Sequence, residues 1–427
     1  MSKIPIVGRT FALSIFMAAL PMTGTAGQTG AVDMADSPRN PLSEAEAVRL
    51  TMARPAVTML IEGNLALATS GLTTASLWSN PELLYSHETV DRDLREDTED
   101  SLWLTQKFQI SGARGLNKDA ARERISAAEL GGKADRLVME ADTRQLFHQL
   151  LHQHRLVQAI EYWAGRIKGI EAVVRKRQEA GEVSRYDSLR LARERALVDT
   201  ALAREKSRRS RSWAAMTALI NYPGVASRFD GIEGELLPGQ PPSLEILTES
   251  LADRPDIVQL EREASAFDLE RRASSRGWVP ELMLGVGHKR VDDDLGRDTG
   301  PMVTAGITLP LFDRGQAGQQ KYSAEAEIMR SQHQLLLQKA HGEVNGVWQE
   351  LSGLRSAAIE AHRGSDEESA QMIQIAEAAY ECGELCVLEI LDAYRSDNLA
   401  KIQAQELSAS ARESYIELDL LTGGAVK

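Results

Sequence analysis

The spacing of apolar residues along this chain switches between a helical repeat and strict alternation. From about residue 58 to 77, apolar side chains recur every three to four positions, which predicts an amphipathic helix. Between residues 101 and 110 they alternate, with Leu102, Leu104, Phe108 and Ile110 on one face and Trp103, Thr105, Lys107 and Gln109 on the other. Together with residues 82–90, this alternation predicts a β-hairpin whose strands are each about ten residues long.

A much longer helical pattern follows the hairpin. It begins at Leu116 and continues to about residue 178 without a proline. At 1.5 Å per residue, it predicts a rod on the order of 90 Å long. Gly181 then predicts a turn, because glycine readily adopts the positive φ that ends a helix. Residues 186–220 predict a returning helix.

The same order of elements occurs again about 200 residues later, as expected for an internal repeat. Arg54-Pro55 predicts a helix break, because proline lacks the N–H donor and clashes with the preceding turn. Arg254-Pro255 repeats this pair, Trp278 repeats Trp78, and Gly383 repeats Gly181. Gly315 is matched to Gly115 in the same way. Strands are expected at 281–290 and 302–311, acidic loops at 91–100 and 291–300, a long helix at 317–381 and a last helix at 387–421. The fold is therefore predicted to be mostly α, with a duplicated helix, β-hairpin, long helix, turn and helix.

These patterns divide the chain into six segments. They are a signal peptide (1–26), a linker (27–42), the first repeat (43–222), a connector rich in Gly and Pro (223–242), the second repeat (243–421) and a C-terminal tail (422–427). Lys3 and Arg9 precede an apolar run of about ten residues, which is typical of a secretory signal and too short to span a bilayer. No cysteine follows this signal, so the sequence lacks the acylation site of a lipoprotein.

The predicted strands require a partner. Four strands cannot close a barrel, and an open sheet leaves two edges unpaired. Strands with one apolar and one polar face are typical of outer-membrane barrels, and a bilayer cannot satisfy free strand edges. Other copies of the chain, most simply in a ring, are therefore expected to complete the sheet. Trp78 and Trp278 are expected at the lipid boundary, with ordinary helix-end packing as the alternative.

This order of elements resembles the TolC-like outer membrane factor family, the exit ducts of tripartite efflux and secretion systems. The resemblance covers about residues 40–421. It is carried by the duplicated glycine turn with its following acidic-Leu pattern, by two Pro-Glu-Leu strand starts and by residues 308–315, which read Thr-Leu-Pro-Leu-Phe-Asp-Arg-Gly. This last segment is similar to the heavy-metal, cobalt-zinc-cadmium branch of the RND efflux systems.

The resemblance implies a homotrimer in outer-membrane lipid, with a twelve-stranded barrel built from four strands of each chain. It also implies a periplasmic α-helical coiled-coil tunnel whose partners are a periplasmic adaptor (membrane fusion protein) and an inner-membrane RND pump. The turns at Gly181 and Gly383 would lie at the periplasmic tip. The candidate gate residues there are Asp187, Glu389, Asp392 and Tyr380. The position of a latching arginine in some relatives is occupied here by Leu385, so the latch is not carried over, and the candidate substitutes are Arg185, Arg190 and Arg395.

Two residue pairs have the i, i+4 spacing that places metal ligands on one helical face. His148 and His152 form one pair, and Cys382 and Cys386, the two cysteines of the chain, form the other. The alternatives are a polar helix face for the histidines, and a local disulfide or two small turn residues for the cysteines. Because a passive duct needs no tight site, the prediction is no metal and no cofactor.

The composition and residue patterns of the chain argue against two classes of protein, nucleic-acid binders and enzymes. The formal net charge is −13, and only 5% of residues are aromatic. The basic run at 204–211 is expected to be a solvated or an interface helix face, because an exported acidic chain is a poor nucleic-acid binder. The sequence shows no catalytic constellation, so an enzyme is not expected.

The predicted function is a passive outer-membrane channel for efflux of heavy-metal cations. An outer-membrane factor for drug efflux or type I protein secretion is the nearest alternative. A soluble periplasmic coiled-coil adaptor or scaffold is the alternative of another class. The sequence leaves the cargo, the pump and the adaptor open.

Overall fold

The computed structural model describes residues 40–92, 95–220, 229, 231–293 and 296–426. The predicted signal peptide and nearly all of the predicted linker lie outside these residues. Within them, no helix combines the length and the apolar character needed to cross a lipid bilayer.

The first repeat contains a short helix, a second helix, a β-hairpin and two long helices. In order they are α1 (Glu44–Met52), α2 (Pro55–Ser76), β1 (Glu82–Arg92), β2 (Arg95–Phe108), α3 (Ala113–Glu179) and α4 (Arg185–Ile220). The predicted break at Arg54-Pro55 is confirmed. Pro55 occupies the first position of α2, where a helix does not need the missing N–H.

The second repeat follows the same order. It consists of α5 (Leu244–Glu249), a 3₁₀ turn (Ser250–Asp253), α6 (Pro255–Ser274), β3 (Glu281–Asp293), β4 (Gly296–Thr308), α7 (Gln316–Arg363), α8 (Ser369–Glu381) and α9 (Val387–Leu421). The prediction of one regular helix over 317–381 was wrong in one respect, because Gly364–Glu368 forms a π-helical turn between α7 and α8. In that turn the buried Ser365 hydroxyl donates to the carbonyl of His362 at 3.1 Å, a local bond that competes with the regular helical ladder.

Matching side chains anchor the two repeats in the same way. Arg54 donates to the carbonyl of Leu219 at the end of α4, and Arg254 donates to that of Leu421 at the end of α9, each at 2.9 Å. The matching of Gly315 to Gly115 was wrong. Gly315 corresponds to Gly112, because these two residues are the N-caps of α7 and α3, with φ of 82° and 70°.

The strands form one antiparallel sheet in the order β1-β2-β3-β4. The prediction of acidic loops at 91–100 and 291–300 was wrong. The strands continue through most of these stretches, and Cα pairing extends to Asp293 and Gly296 in the second hairpin. Hydrogen-bonded Ser86 and Ser101, at 2.7 Å, and the ion pair of Lys289 with Glu99 link neighbouring strands here. Polar cross-strand pairs thus extend the sheet where the apolar alternation ends.

Three apolar clusters hold the helices together. One joins α1, α3 and α4 with the connector through residues such as Leu50, Phe147 and Ile220. The second joins α5, α7 and α9 through residues such as Leu247 and Leu351. The third lies near the two glycine turns and mixes side chains of α3, α4, α8 and α9. The two helical hairpins of one chain therefore share a core at their tips.

Candidate functional site

The sheet exposes an apolar face. The predicted outward residues of β2, Leu102 and Leu104, are each 46% exposed, and Val303 of β4 is 81% exposed. Cα pairing places Leu104 opposite Val286, and Val286 opposite Val303, so these side chains form one row across the strands. Because β1 and β4 each pair on one side only, the sheet of a single chain has two open edges.

Trp78 and Trp278 lie just before β1 and β3 and are 55% and 64% exposed. The guanidinium of Arg114 lies 4.0 Å from the centroid of the Trp78 ring, and Phe108 meets that ring edge-on at 6.0 Å. Their exposure beside the apolar face fits the predicted boundary position, and packing with Arg114 and Phe108 also holds Trp78 in place.

Both glycine turns have the same geometry. Gly181 and Gly383 have φ of 81° and 80°, in the left-handed region that favours glycine. In each turn the residue after the glycine donates a 2.8 Å hydrogen bond to a carbonyl five residues back, from Glu182 to Arg177 and from Glu384 to Ala379. This arrangement satisfies the last carbonyls of a helix before the chain reverses.

Two of the predicted gate carboxylates cap helices. The Ser184 hydroxyl donates to Asp187 at 2.6 Å and accepts from the Asp187 amide at 3.2 Å. Glu389 accepts from the Cys386 amide at 2.7 Å, and this bond holds the pKa of the Glu389 carboxyl below its usual value. The acidic residue after each turn therefore stabilises the start of α4 or α9.

The other two predicted gate residues differ in exposure. Asp392 is exposed and has no ion pair or side-chain hydrogen bond within the described part of the chain. Tyr380 is only 3% exposed, its hydroxyl has no hydrogen-bond partner among the described residues, and burial raises its pKa. The guanidinium of Arg177 lies 5.0 Å from the Tyr380 ring. Of the four candidates, Asp392 is the free surface charge.

Links between the two hairpins were missed by the sequence reasoning. Arg177, near the end of α3, donates to the carbonyls of Tyr380 and Glu381, at 3.2 and 3.0 Å. Glu377 of α8 accepts from Arg166 of α3 and, at 2.6 Å, from Tyr394 of α9. Burial and this bond to Glu377 raise the pKa of Tyr394. Charged residues on a long helix give no sequence signal of which distant helix they meet.

Arg395 takes part in a further link between the hairpins. It forms an ion pair with Glu194 of α4, whose side chain is only 11% exposed. The sequence analysis named Arg395 as a substitute for the missing latch, and the structure brings it against the other hairpin of the same chain.

A charged cluster joins α1, α3 and α9 away from the tip. Arg144 bonds Glu44 and Asp419, each at 2.6 Å, and His148 Nε2 lies 2.9 Å from Glu44. Burial alone would raise the pKa of Glu44, but hydrogen bonds and charge from His148 and Arg144 outweigh it and lower the pKa to about 2. Burial lowers the pKa of His148. His148 donates its Nε2–H to the ionised Glu44 at 2.9 Å.

The candidate metal pairs lie in different surroundings. Cys382 and Cys386 are free thiols, both exposed, in the second turn. His148 and His152 lie on α3, far along the helix from that turn. No group of three His, Cys, Asp or Glu side chains within the described ranges is arranged to hold a metal ion.

Comparison with known proteins gives relatives along most of the chain. The nickel-cobalt-cadmium resistance protein NccC of Alcaligenes xylosoxydans xylosoxydans is 27% identical over 68% of this chain, and the match spans 65% of NccC, just under two thirds of its length. The pyoverdine export outer membrane protein OpmQ of Pseudomonas putida is 24% identical, over 72% of this chain and 68% of OpmQ.

Solved structures share the fold. The Campylobacter jejuni CmeC outer membrane channel superimposes with a TM-score of 0.72 at 15% identity, covering 97% of this chain and 94% of CmeC. Residues 246–424, almost the whole second repeat, match the family described as outer membrane efflux protein. The chain thus has the fold of the TolC-like channels, and its residues 246–424 form an outer membrane efflux protein domain.

Proposed function

We propose that this chain forms the outer-membrane exit channel of a tripartite RND-type efflux system and that the channel exports heavy-metal cations. In this proposal three copies close a barrel of twelve strands, and the long helices continue it as a periplasmic tunnel. The channel itself is passive, so the energy comes from an inner-membrane pump reached through a periplasmic adaptor.

The observation that carries the proposal is the incompleteness of the single chain. Its sheet has an apolar outer face and two open edges, β1 and β4. Lipid cannot satisfy those edges, so a second surface of the same kind must pair with them. Another copy of the chain brings a β4 edge to each β1 edge, and a ring of copies leaves no edge open.

A relative, a sequence segment and the charge of the chain support heavy-metal cations as the cargo. NccC is named for resistance to nickel, cobalt and cadmium, and residues 308–315 resemble the heavy-metal branch. The acidic balance of the chain favours cations electrostatically. Outer-membrane placement agrees with the names of OpmQ and CmeC. The proposal also includes cleavage of residues 1–26 as an export signal.

Deletion and complementation test the cargo. A strain without the gene is expected to lose resistance to nickel, cobalt, zinc or cadmium, while its drug susceptibility and protein secretion stay unchanged. The complete gene should restore resistance. Unchanged metal resistance, together with a new drug or secretion defect, would contradict the metal cargo and leave the channel architecture intact.

OpmQ supports a second candidate cargo. Its name describes pyoverdine export, and the match covers slightly more of this chain than the match to NccC. A small organic chelator would then be the exported species. Measuring secreted siderophore in the same deletion strain separates this candidate from metal efflux, since only the organic cargo predicts its accumulation inside the cell.

A further inference from the structure

A polar cavity of about 670 Å³ lies between α3 and α9, distant from the glycine turns. Its ionisable lining residues, within the described part of the chain, are Asp142, His148, His152, Glu406 and Glu413. No lysine or arginine lines it, and none of its three carboxylates forms an ion pair with a described residue. The cavity therefore combines negative charge with imidazole nitrogens, which suits a cation.

His148 offers one unused nitrogen. The ring is 6% exposed, and its Nε2 is held by Glu44 at 2.9 Å. Its Nδ1 is buried without any hydrogen-bond partner among the described residues. A histidine whose second ring nitrogen is fixed by a carboxylate is the usual arrangement of a metal ligand, because the carboxylate sets the tautomer and the orientation of the ring.

His152 repeats this situation one helical turn later. Its Nδ1 is also buried and has no partner within the described ranges. Burial lowers its pKa despite the opposing influence of Glu406 and of the Gln405 backbone. Both Nδ1 atoms thus lack a partner among the described residues, as a nitrogen that is to bind a metal ion must.

The internal repeat shows that packing does not require a histidine at position 148. Counted from the matching N-caps Gly112 and Gly315, Arg144 corresponds to Val347 and His148 to Leu351. In the second repeat, Val347 and Leu351 belong to an apolar core. An imidazole with an unpaired buried nitrogen is costly where a leucine serves the same position in the other repeat. A ligand for that nitrogen would remove the cost.

We propose that His148 and His152 bind one divalent transition-metal cation in this cavity, with the nearby carboxylates balancing its charge. Residues at i and i+4 lie on one helical face, so both rings can reach the same ion. Because the described residues provide no third protein ligand, water is expected to complete the coordination. Imidazole ligands favour copper and nickel over magnesium and calcium.

This site goes beyond the proposed export function, because it rests on the geometry of α3 and α9 and not on what the channel carries. Metal binding to the purified chain tests it, whereas resistance of cells tests the cargo. If deletion of the gene abolishes metal resistance but the purified chain does not bind metal, the site proposal fails. If the purified chain binds metal but deletion leaves resistance unchanged, the cargo proposal fails.

The experiment uses the full mature chain in detergent, without a histidine tag, and Cu²⁺ as the probe. Competition with a chromophoric chelator gives affinity and stoichiometry, and electron paramagnetic resonance reports nitrogen ligands. Either His148→Gln or His152→Gln is expected to weaken Cu²⁺ binding about tenfold or more and to remove the imidazole signature. His154→Gln is the matched control, because His154 lies on the same helix but bonds Gln158 and lines another cavity.

Wild-type affinity and spectrum in the His148→Gln/His152→Gln double variant would overturn the proposal. An equal loss in His154→Gln would overturn it too, since binding would then be unspecific. Should His148→Gln unfold the chain by releasing Glu44, His152→Gln decides alone, because His152 does not bond Glu44 and its Nδ1 has no partner among the described residues. A folded His152→Gln variant with undiminished binding contradicts the site.

Discussion

Corresponding helices of the two repeats have different surroundings. In the second repeat, α6 and α9 each lie between α3 and α7. In the first repeat, α2 and α4 pack along α3 and do not reach α7. The two helices therefore differ in how many side chains they bury. The helix α2 buries no residue, whereas α6 buries Ile257, Ala264, Ala266 and Ala273. If the repeats are equivalent, the missing neighbour of α2 and α4 is the α7 of another copy.

The sheet shows the same difference. β2 and β3 have strands on both sides, while β1 and β4 have one neighbour each. A single chain therefore contains one complete junction between its two repeats, where β2 pairs with β3. The edge strands β4 and β1 each provide one half of a second junction of the same kind. In the proposed assembly, the chain is one segment of a ring whose second junction forms between copies.

The largest expected effect comes from charging the open side of α2. Met59 and Leu67 are 71% and 73% exposed, and α7 exposes the apolar residues Ile328 and Leu335. Met59→Glu with Leu67→Glu should prevent trimer formation, because carboxylates would be buried against these apolar residues. Analytical ultracentrifugation in detergent should show monomers.

Ile246→Glu is the control for this substitution. Ile246 is 57% exposed and lies on α5, outside the α2 surface. Trimers should survive it. A trimeric α2 variant would mean that this face does not contact a second copy.

The second-largest expected effect is on the free energy of unfolding, when either of the two anchoring arginines is replaced by alanine. Arg254 is a largely buried side chain that pairs with Asp256 and also caps α9, whereas Arg54 caps α4 and has no ion pair with a described residue. Arg254→Ala should lower the free energy of unfolding by about 3 kcal/mol and Arg54→Ala by about 1 kcal/mol. Chemical denaturation of both variants measures this. Equal losses would show that the repeats are anchored equally.

Acid should weaken the first repeat selectively. Glu44 has a folded-state pKa of about 2 against an ordinary value of 4.5. Its contribution is therefore fully present above pH 4.5 and is lost as the pH falls towards 2, on the order of 1–2 kcal/mol after allowing for partial exposure. α5 docks through the apolar Leu247, so it should be insensitive.

Hydrogen exchange can follow this acid effect in α1 and α5 separately. Protection of α1 should fall over that pH range while protection of α5 persists. In Glu44→Gln, the dependence of α1 on pH should flatten. A parallel loss in both helices would contradict a local origin in Glu44.

The smallest expected effect concerns the tip. Asp392 is free, whereas Asp187 is bonded to Ser184 at the start of α4. Asp392→Ala should reduce cation selectivity in single-channel recordings about twofold, because a ring of copies loses a carboxylate from each. Asp187→Asn keeps the cap and should change conductance less. If neither variant alters conductance or cation block, the proposed acidic gate is wrong.

Much of the fold was predictable because repeats and periodicity are local signals. Gly181 and Gly383 identified both turns, and Pro55 identified a helix start. The ends of the strands were not predictable, because they are built from polar cross-strand pairs such as Ser86 with Ser101 and show no alternation of apolar and polar residues. The π-helical turn at Gly364–Glu368 has no such local signature either.

The candidate sites were predictable only in part. Spacing singled out His148 and His152, but the bond from Glu44 joins residues about a hundred positions apart and leaves no local pattern. The same holds for Arg166 with Glu377, which meet only because α3 and α8 pack side by side. Long-range ion pairs depend on the fold, so they follow from coordinates and not from spacing.

The register between copies can be derived from the register within the chain. Trp103 lies opposite Gly287 where β2 pairs with β3. When the last pair of the first hairpin, Arg92 and Arg95, is aligned with the last pair of the second, Asp293 and Gly296, β2 corresponds to β4 and β1 to β3. Trp103 of β2 then corresponds to Thr304 of β4, and Gly287 of β3 corresponds to Ser86 of β1. The second junction should therefore place Thr304 of one copy opposite Ser86 of the next.

Disulfide cross-linking of this junction tests the central claim most directly. In a background with Cys382→Ser and Cys386→Ser, oxidation of Thr304→Cys/Ser86→Cys should give covalent trimers on a denaturing gel. The in-chain pair Ser86→Cys/Ser101→Cys serves as the control and should close within one monomer, since those side chains are 2.7 Å apart. Efficient closure of the control with only monomers from Thr304→Cys/Ser86→Cys would contradict a ring joined through β4 and β1.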